Sequence, residues 1–384
     1  MISAQSFVRA AQERGFWLYT GVPCSYLTPF INYVIDAAEL RYVGVTNEGD
    51  AVALAAGCEL GGRRALAMFQ NSGLGNAVNP LTSLNYPCRL PVLLIPTLRG
   101  EPGGPHDAPQ HQFMGQITTR MLELLEIGWE YFPADESSVA GALDRAVEHM
   151  RKQGLPYALV MKKHSVSEWP IRSPPIVKPL AEPVARSLRL PPQLAASHPR
   201  EIMLRSVQAS VRPSDIVVST TGYTTRELYA CGDRENQFYM LGAMGCASSL
   251  ALGLAMAQPA RRVIVLDGDG ALLMRLGALA TIGYERPANL VHILLDNEVH
   301  ESTGRQSTVS HSVDLCGIAA ACGYPRVARL NEPAQLADAL RHADGGLTFL
   351  QVKIKPGVSG KLPRPAIAPP AMVQRLRDFI ARTS

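Results

Sequence analysis

The chain has 384 residues, of which 47% are hydrophobic and 18% are charged, with a net charge of +4, and this composition fits two globular domains. No apolar run reaches the roughly 18 residues of a membrane span, and residues 1–15 lack a signal-peptide core, so a cytoplasmic protein is expected. Seven scattered cysteines without a C-x-x-C pair argue against a disulfide framework or a zinc site, and the absence of Lys/Arg runs argues against nucleic-acid binding.

The first half of the chain alternates apolar strand patterns with helical ones. A short strand at 43–45 leads to the acidic residue Glu48, and a helix rich in small residues follows at 51–60. The other predicted elements are a strand at 65–69, a glycine-rich turn at 73–75 with a helix after it, a strand at 92–96, an amphipathic helix at 139–153 and a strand at 156–163. Such alternation predicts an α/β domain with a parallel sheet.

The second half repeats this order. Its predicted elements are a helix at 248–257, a strand at 263–266, a glycine turn, a helix at 271–284, a strand at 290–295, a helix at 333–343 and a strand at 347–355. Seven prolines between residues 174 and 199 predict a long, semi-rigid connection. We therefore predict two doubly wound α/β domains of one ancestral type, at 1–172 and 200–384, joined by a proline-rich linker at 173–199.

Two turns of the second half carry the chemistry. Gly268-Asp269-Gly270 follows the predicted strand at 263–266, and Asn297 follows the one at 290–295, with 26 residues (271–296) between Gly270 and Asn297. The carboxyl ends of parallel strands are where open α/β sheets bind ligands. A carboxylate, an amide oxygen and main-chain carbonyls suit Mg²⁺, which also binds phosphate oxygens. The pattern predicts a diphosphate–Mg²⁺ site.

A nicotinamide-dinucleotide loop is the alternative interpretation of the glycine-rich segments 73–75 and 242–245. That fingerprint needs three glycines at fixed spacing, followed about 20 residues later by an acidic residue that holds the ribose. Neither segment has the full pattern, so we favour the diphosphate–Mg²⁺ interpretation.

Gly-Asp-Gly followed at this interval by Asn resembles the signature of thiamine-diphosphate enzymes, and the two halves resemble that superfamily's pyrimidine-binding and diphosphate-binding domains, without the third domain that many relatives carry. Within the superfamily, the chain resembles the phosphonopyruvate decarboxylases most, and the sulfopyruvate decarboxylases share many of the same motifs. The segments that carry this resemblance are GVPCS (21–25), TNEG (46–49), QNSGLGN (70–76), RGEPG (99–103), MGQ (114–116), 274–282 and STG (302–304).

The resemblance implies a role for each residue that matches a motif. Glu48 takes the position of the carboxylate that shares a proton with the cofactor's aminopyrimidine; by itself it would be an ordinary acid at a helix N-terminus. The implied Mg²⁺ ligands are Asp269, Asn297 and the Val299 carbonyl. The remaining cofactor-binding candidates are Thr220, Thr221 and Gly222, which follow a strand at 216–218, the turn residues Gly268, Gly270 and Ala271, and Met244, which matches the apolar side chain that keeps the cofactor bent.

The substrate-binding residues are less well defined. Many 2-keto acid decarboxylases have paired histidines where this chain has Gln70-Asn71, and amides can position a substrate but cannot transfer protons near pH 7. His106 and His111, with Asp107 beside them, lie in a Gly/Pro-rich segment at 100–111 that is typical of a mobile cover. The candidate cations for an anionic substrate tail are Arg99, Arg305, Lys162 and Lys163, and the sequence does not rank them.

The resemblance implies a carbon–carbon lyase that uses thiamine diphosphate and Mg²⁺ to convert 3-phosphonopyruvate to phosphonoacetaldehyde and CO₂ in phosphonate biosynthesis. Three alternatives stay open: decarboxylation of sulfopyruvate, a paralogue that binds the cofactor without catalysis, and ligation of the decarboxylated fragment to a second carbonyl compound. Because the superfamily builds each site from two chains, the resemblance also implies a homodimer or larger homo-oligomer, with Glu48 and Asp269 of one site supplied by different subunits.

Overall fold

The computed structural model describes residues 1–174, 177–181, 194–358 and 360–383. The chain divides into two compact units, Met1–Val177 and Lys178–Ser384, and each has its own sheet. Much of the predicted linker at 173–199 lies outside the described residues, so its boundaries stay a prediction. None of the helices among the described ranges is both long and apolar enough to cross a membrane.

Unit 1 is built on a six-stranded parallel sheet with strand order β2-β1-β3-β4-β6-β5. Its strands are β1 (Phe16–Gly21), β2 (Arg41–Gly44), β3 (Arg64–Gln70), β4 (Leu93–Thr97), β5 (Gly128–Tyr131) and β6 (Tyr157–Val160). The chain turns from one side of β1 to the other between β2 and β3. Ligands of open α/β sheets bind beside such a reversal, at the carboxyl ends of the strands.

The helices of unit 1 connect these strands. They are α1 (Ala4–Glu13), α2 (Thr28–Asp36), α3 (Glu48–Leu60), α4 (Leu74–Pro80), α5 (Tyr86–Cys88), α6 (Gln112–Leu124) and α7 (Glu136–Gln153). Phe7, Phe30 and Phe132 pack together in the core with ring centroids 4.8–5.6 Å apart. Helix α7 is capped at its start by Asp135, whose side chain accepts from the Ser138 N–H, and is followed by Gly154 in the left-handed conformation. This is the usual pairing of helix start and stop signals.

Unit 2 has a second parallel sheet of seven strands, in which six run in the order β14-β15-β11-β10-β8-β9 and β7 pairs with β15. These strands are β7 (His198–Pro199), β8 (Ile216–Ser219), β9 (Gln237–Tyr239), β10 (Val263–Gly268), β11 (Leu290–Asp296), β14 (Arg326–Leu330) and β15 (Thr348–Lys355), and a separate antiparallel ribbon is formed by β12 (Val299–His300) and β13 (Gln306–Ser307). Here the chain reverses between β8 and β10, the two strands that precede the predicted cofactor turns.

The helices of unit 2 are α8 (Arg200–Ser210), α9 (Tyr223–Ala230), α10 (Ala247–Ala257), α11 (Asp269–Met274), α12 (Ala278–Glu285), α13 (Leu315–Ala321), α14 (Pro333–Arg341) and α15 (Pro369–Arg382). The prediction of two parallel-sheet α/β domains is therefore confirmed. One element differs, because the single helix predicted at 271–284 is two helices. Helix α11 ends at Met274, because the next residue, Arg275, leaves the helical region at φ −136° and ψ 49°, and α12 then begins at Ala278 after the N-cap residue Gly277.

Candidate functional site

The Gly268–Gly270 turn joins β10 directly to α11. The Asp269 side chain at the start of this helix is buried, and its Oδ2 accepts hydrogen bonds from Thr308 Oγ1 at 2.5 Å and Ser310 Oγ at 3.1 Å. Burial raises the pKa of Asp269, the Thr308 hydroxyl partly opposes this, and the charge of Asp296 raises it further. A buried carboxylate that is destabilised in this way is one that a bound cation would compensate.

The end of β11 lies beside this turn. Ser310 Oγ hydrogen-bonds to Asp296 Oδ1 at 3.0 Å as well as to Asp269, so the two strand ends share one hydroxyl. Asp296 Oδ2 accepts from Gln351 Nε2 at 2.7 Å and from Lys353 Nζ at 2.9 Å. These contacts occupy the Asp296 carboxylate within the protein, which agrees with the assignment of the ligand position to the following residue, Asn297.

The segment after Asn297 has an unusual backbone. Glu298 lies in the left-handed region at φ 61°, which is uncommon for a residue other than glycine and often marks a functional site. This turn leads into the β12–β13 ribbon, which starts at Val299. Asn297, Val299 and Ser310 line a cavity of about 980 Å³ in unit 2. Space is therefore available beside two of the three predicted metal ligands.

The end of β8 supplies hydroxyl groups. Ser219 Oγ and Thr225 Oγ1 are 2.6 Å apart, and Thr225 also donates to the Thr220 carbonyl at 2.7 Å. The Thr220 Oγ1 atom itself is buried and has no hydrogen-bond partner in the described part of the chain. A buried orphan hydroxyl costs free energy unless a ligand or water pairs with it, so Thr220 fits the phosphate-binding role. Thr221 and Gly222 continue the turn, with Gly222 at φ 83°.

Met244 contributes the apolar part of the site. It follows Ala243, another left-handed residue at φ 55°, and its side chain is half-buried. A Cβ added at Gly270 would lie 3.5 Å from Met244 Cε and only 2.5 Å from His300 Cε1. Met244, Gly270 and His300 therefore converge beside the Asp269 turn. His300 was not among the candidates chosen from the sequence.

In unit 1, Glu48 begins α3, after the N-cap residue Asn47. The Glu48 Oε2 atom accepts a hydrogen bond from Asn76 Nδ2 at 2.7 Å. A Cβ at Gly73 would lie 2.4–2.6 Å from Cγ, Cδ and Oε1 of Glu48. The hydrogen bond from Asn76 and the absence of a side chain at Gly73 therefore define the position of the Glu48 carboxylate.

We predict that Gly73→Ala lowers kcat by about 10- to 100-fold. The added Cβ would displace the Glu48 carboxylate, and a misplacement of about 1 Å can lower a catalytic rate by about 100-fold. Binding of thiamine diphosphate should change far less. Gly75→Ala is the matched control, since a Cβ at Gly75 meets no atom within 4 Å. Steady-state kinetics on both variants test this, and equal losses of kcat would contradict the proposed contact.

Asn71 faces a buried network. It is fully buried, and its Nδ2 donates to the Arg99 carbonyl at 2.9 Å and to Thr118 Oγ1 at 3.0 Å. Its Oδ1 is buried without a partner in the described residues. The neighbouring Gln70 donates from Nε2 to Ser72 Oγ at 2.8 Å and lies near the Cys24 thiol. Asn71 therefore holds the Arg99 carbonyl through Nδ2. The Oδ1 atom of Asn71 remains available to accept a hydrogen bond.

The segment predicted as a mobile cover is anchored by an ion pair. Arg99 donates from Nε and Nη2 to the two carboxylate oxygens of Asp107, both at 2.6 Å, and these charge-assisted bonds hold the Asp107 pKa well below its usual range. His106 is exposed and His111 is half-buried. Neither imidazole has a hydrogen-bond partner within the described ranges.

The four candidate cations differ in how their charges are compensated. Arg99 is paired with Asp107. Lys162 pairs with Glu101 Oε1 at 2.5 Å, and Arg305 pairs with Glu301 Oε1 at 2.6 Å. Lys163 has no ion pair with any residue that the structure describes. Among the four candidates, the charge of Lys163 is therefore the one left to attract an anion.

The donor atoms fit the cofactor and metal that the motifs imply. Asp269, Asn297 and the Val299 carbonyl offer hard oxygen ligands, and Mg²⁺ typically takes only one or two carboxylates, with phosphates and water completing its shell. No group of three or more His, Cys, Asp or Glu side chains that could hold a metal by themselves occurs in the described residues. A Mg²⁺ ion held by these three groups would need phosphate oxygens or water to complete its shell.

Sequence reasoning missed several residues of the site. Asn76, Thr308 and Ser310 hold the two key carboxylates, and His300 lies against the Gly270 turn. Asn76 lies in the glycine-rich QNSGLGN segment, so its proximity to Glu48 had a weak sequence signal. Thr308 and Ser310 had none, because they lie 39 and 41 residues from Asp269 along the chain.

Both halves of the chain match domains of known proteins. The thiamine pyrophosphate enzyme N-terminal TPP binding domain matches residues 1–119, and the C-terminal TPP binding domain of the same enzymes matches residues 220–352. The chain is 43% identical to phosphonopyruvate decarboxylase of Streptomyces hygroscopicus, over 99% of this chain and 94% of that protein. It is 30% identical to sulfopyruvate decarboxylase of Methanosarcina acetivorans, over 98% of this chain and 97% of that protein.

A solved structure supports the fold. Benzoylformate decarboxylase of Polynucleobacter necessarius superposes with a TM-score of 0.70 at 13% identity, covering 94% of this chain and 100% of the solved chain. Both halves of the chain thus match TPP binding domains, and the sequence identity extends across nearly its whole length. The chain belongs to the phosphonopyruvate decarboxylase family of thiamine pyrophosphate (thiamine diphosphate) enzymes.

Proposed function

We propose that this chain decarboxylates 3-phosphonopyruvate to phosphonoacetaldehyde and CO₂, using thiamine diphosphate and Mg²⁺. The observation that carries the proposal is the 43% identity to a phosphonopyruvate decarboxylase over 99% of the chain. The structure supports it at residue level, because Glu48, Asp269 and Asn297 all lie at the carboxyl ends of parallel strands. Their retention also weighs against a paralogue that binds the cofactor without catalysis.

Each residue then has a defined task. When bound, thiamine diphosphate supplies a nucleophilic carbon and accepts the electron pair that CO₂ leaves behind. Glu48 would share a proton with the aminopyrimidine, which would make the ring's amino group a base. Asp269, Asn297 and the Val299 carbonyl would hold Mg²⁺, and the orphan hydroxyl of Thr220 would donate to the diphosphate.

The remaining candidates act on the cofactor backbone and the substrate. Gly268, Gly270 and Ala271 present main-chain groups to the diphosphate beside the Thr221–Gly222 turn, and Met244 supports the cofactor rings. Asn71 orients the 2-keto acid through its unpaired oxygen or through the Arg99 loop, and His106 or His111 returns a proton to the product. Lys163, whose charge has no ion pair among the described residues, offers positive charge for the phosphonate.

We expect kcat/KM to be at least about tenfold higher for phosphonopyruvate than for sulfopyruvate, a difference of about 1.4 kcal/mol. A phosphonate dianion carries one more charge than a sulfonate, and a site built for the dianion leaves its cations partly unpaired with the monoanion. Parallel assays of CO₂ release with both keto acids measure the ratio. A larger value for sulfopyruvate would assign the chain to the alternative activity, and product analysis with an added aldehyde would reveal carboligation.

We also propose that the protein is a homodimer or larger homo-oligomer, with Glu48 and Asp269 of each site contributed by different subunits. The support is the family membership, together with the separation of these two carboxylates into units that have their own sheets. A cytoplasmic location is proposed as well, because all seven cysteines are free thiols, as expected in a reducing compartment.

A further inference from the structure

Glu301 makes a set of contacts that the proposed reaction does not use. Its side chain is only 6% exposed. Oε2 accepts hydrogen bonds from Asn297 Nδ2 at 3.1 Å and from the Gly357 backbone N–H at 2.8 Å, and Oε1 accepts from Arg305 Nε at 2.6 Å. One carboxylate therefore joins the metal-ligand loop, an arginine and the segment that follows β15.

The hydrogen bond between Asn297 and Glu301 determines the orientation of the Asn297 side-chain amide. A side-chain amide has an oxygen, which can bind a cation, and an NH₂ group, which cannot. Because Nδ2 donates to Glu301, Oδ1 must point the opposite way. Its one hydrogen bond among the described residues is a long contact of 3.4 Å from the Val299 N–H, so the oxygen keeps lone pairs for a metal.

The reversed amide would be unfavourable here. Rotating the Asn297 amide by 180° would put Oδ1 against Glu301 Oε2, and two acceptors at about 3 Å would repel each other. The amide would also lose its donor contact and present NH₂ to the metal position. Glu301 thus selects one of two orientations that are nearly equal in shape.

We propose that Glu301 is a positioning residue that holds the Asn297 oxygen toward the Mg²⁺ site. The inference rests on the proposed function in one respect, namely that Asn297 binds the metal. Partners that orient metal ligands commonly contribute about 10- to 100-fold to metal affinity. Glu301 would act in this way without touching the metal, the cofactor or the substrate.

The test measures binding rather than turnover, by calorimetric Mg²⁺ titration of the metal-free, full-length protein at a fixed concentration of thiamine diphosphate. Glu301→Ala should weaken Mg²⁺ binding by about 10- to 100-fold. Glu301→Gln keeps an acceptor for Asn297 and should remain within about threefold of the wild type. Arg305→Ala removes only the exposed ion pair and should also remain within about threefold.

A double-substitution cycle separates orientation from general loop support. If Glu301 acts through Asn297, the pair Asn297→Ala/Glu301→Ala should bind Mg²⁺ no more weakly than Asn297→Ala alone. Additive losses would overturn the proposal, as would wild-type affinity in Glu301→Ala or equal losses in Glu301→Ala and Glu301→Gln. If circular dichroism shows that Glu301→Ala is unfolded, Glu301→Asp, which retracts the carboxylate by one methylene, replaces it with the same expected loss.

The wild-type protein separates this inference from the proposed reaction. Mg²⁺-dependent binding of thiamine diphosphate without turnover of phosphonopyruvate would refute the reaction and leave the role of Glu301 to be decided by the variants. Turnover of phosphonopyruvate together with unchanged Mg²⁺ binding in Glu301→Ala would refute the role of Glu301 alone.

Discussion

Replacing Glu48 by alanine should lower kcat by about 100- to 10,000-fold, the range that a positioned proton-transfer group contributes. Glu48 starts α3 and accepts a hydrogen bond from Asn76 at 2.7 Å, while Gly73 leaves room for its carboxylate. The substitution removes the group that we propose shares a proton with the aminopyrimidine. The proposed Mg²⁺ ligands and Thr220 belong to the other unit, so thiamine diphosphate should still bind with an affinity close to that of the wild type.

Two measurements are needed to interpret the Glu48 variant. Rapid-mix or steady-state CO₂ release gives kcat, and calorimetry gives the dissociation constant of thiamine diphosphate. Glu48→Gln should be nearly as inactive, because the amide keeps the shape but cannot carry the proton. Glu13→Ala, at an exposed position on α1, is the control for loss of a carboxylate. Full activity in Glu48→Ala would refute its catalytic role.

Replacing Asp269 by alanine should weaken Mg²⁺-dependent binding of thiamine diphosphate by at least about 100-fold, because loss of a direct ligand should exceed the effect of losing an outer partner. Asp269 contributes the charged ligand of the proposed set, whereas Asn297 and Val299 contribute neutral oxygens. Turnover should fail at any practical cofactor concentration. Calorimetric titration measures the loss, with Asp378→Ala on the exposed face of α15 as the control. Wild-type affinity in Asp269→Ala would remove Asp269 from the metal site.

Asp269→Asn should stabilise the metal-free protein, in contrast to the loss of cofactor binding expected for Asp269→Ala. Burial, with a contribution from Asp296, raises the folded-state pKa of Asp269 above its ordinary value of 3.8. The folded state therefore binds this proton more tightly than the unfolded state, so the charged form lowers stability at neutral pH. Asp269→Asn should raise the Tm of the metal-free protein at pH 7, and its advantage over the wild type should shrink as pH falls toward about 4.

Mixing the two inactive proteins tests the subunit arrangement. If each site takes Glu48 from one chain and Asp269 from another, a hybrid of Glu48→Ala and Asp269→Ala chains contains one site with both substitutions and one with neither. Activity should therefore reappear when the two variants are unfolded together and refolded. No recovery, with hybrid oligomers demonstrated by native mass spectrometry, would contradict shared sites.

The strands and the fold class could be predicted because their signals are local. Apolar runs at 263–266 and 290–295, the second interrupted only by His292, are the cores of the buried strands β10 and β11, as expected for strands that are covered on both faces. The helix predicted at 271–284 was wrong because no proline marks its interruption. The break depends on the non-helical backbone conformation of Arg275 (φ −136°, ψ 49°), which the periodicity of the sequence does not report.

The sequence indicates only part of the candidate site. Asp269 and Asn297 were proposed from oxygen donors at the ends of two predicted strands, and the role proposed for Glu48 came from family resemblance. Their partners Thr308, Ser310 and Glu301 approach them through the loops after β11, and a hydroxyl in a loop has no sequence pattern that identifies its acceptor. The ion pairs of Arg99, Lys162 and Arg305 were likewise unforeseen, because each depends on a side-chain conformation.

The close approach of His300 to Gly270 has a consequence for how this protein can evolve. Any substitution of glycine adds at least a Cβ, which at this position would lie 2.5 Å from Cε1 and 2.8 Å from Nδ1 of His300. Alanine at 270 would therefore displace the imidazole, whereas the same change would be tolerated in a background that already has a smaller residue at 300. The effect of the change at 270 thus depends on which residue occupies 300, so the two positions should show strong epistasis.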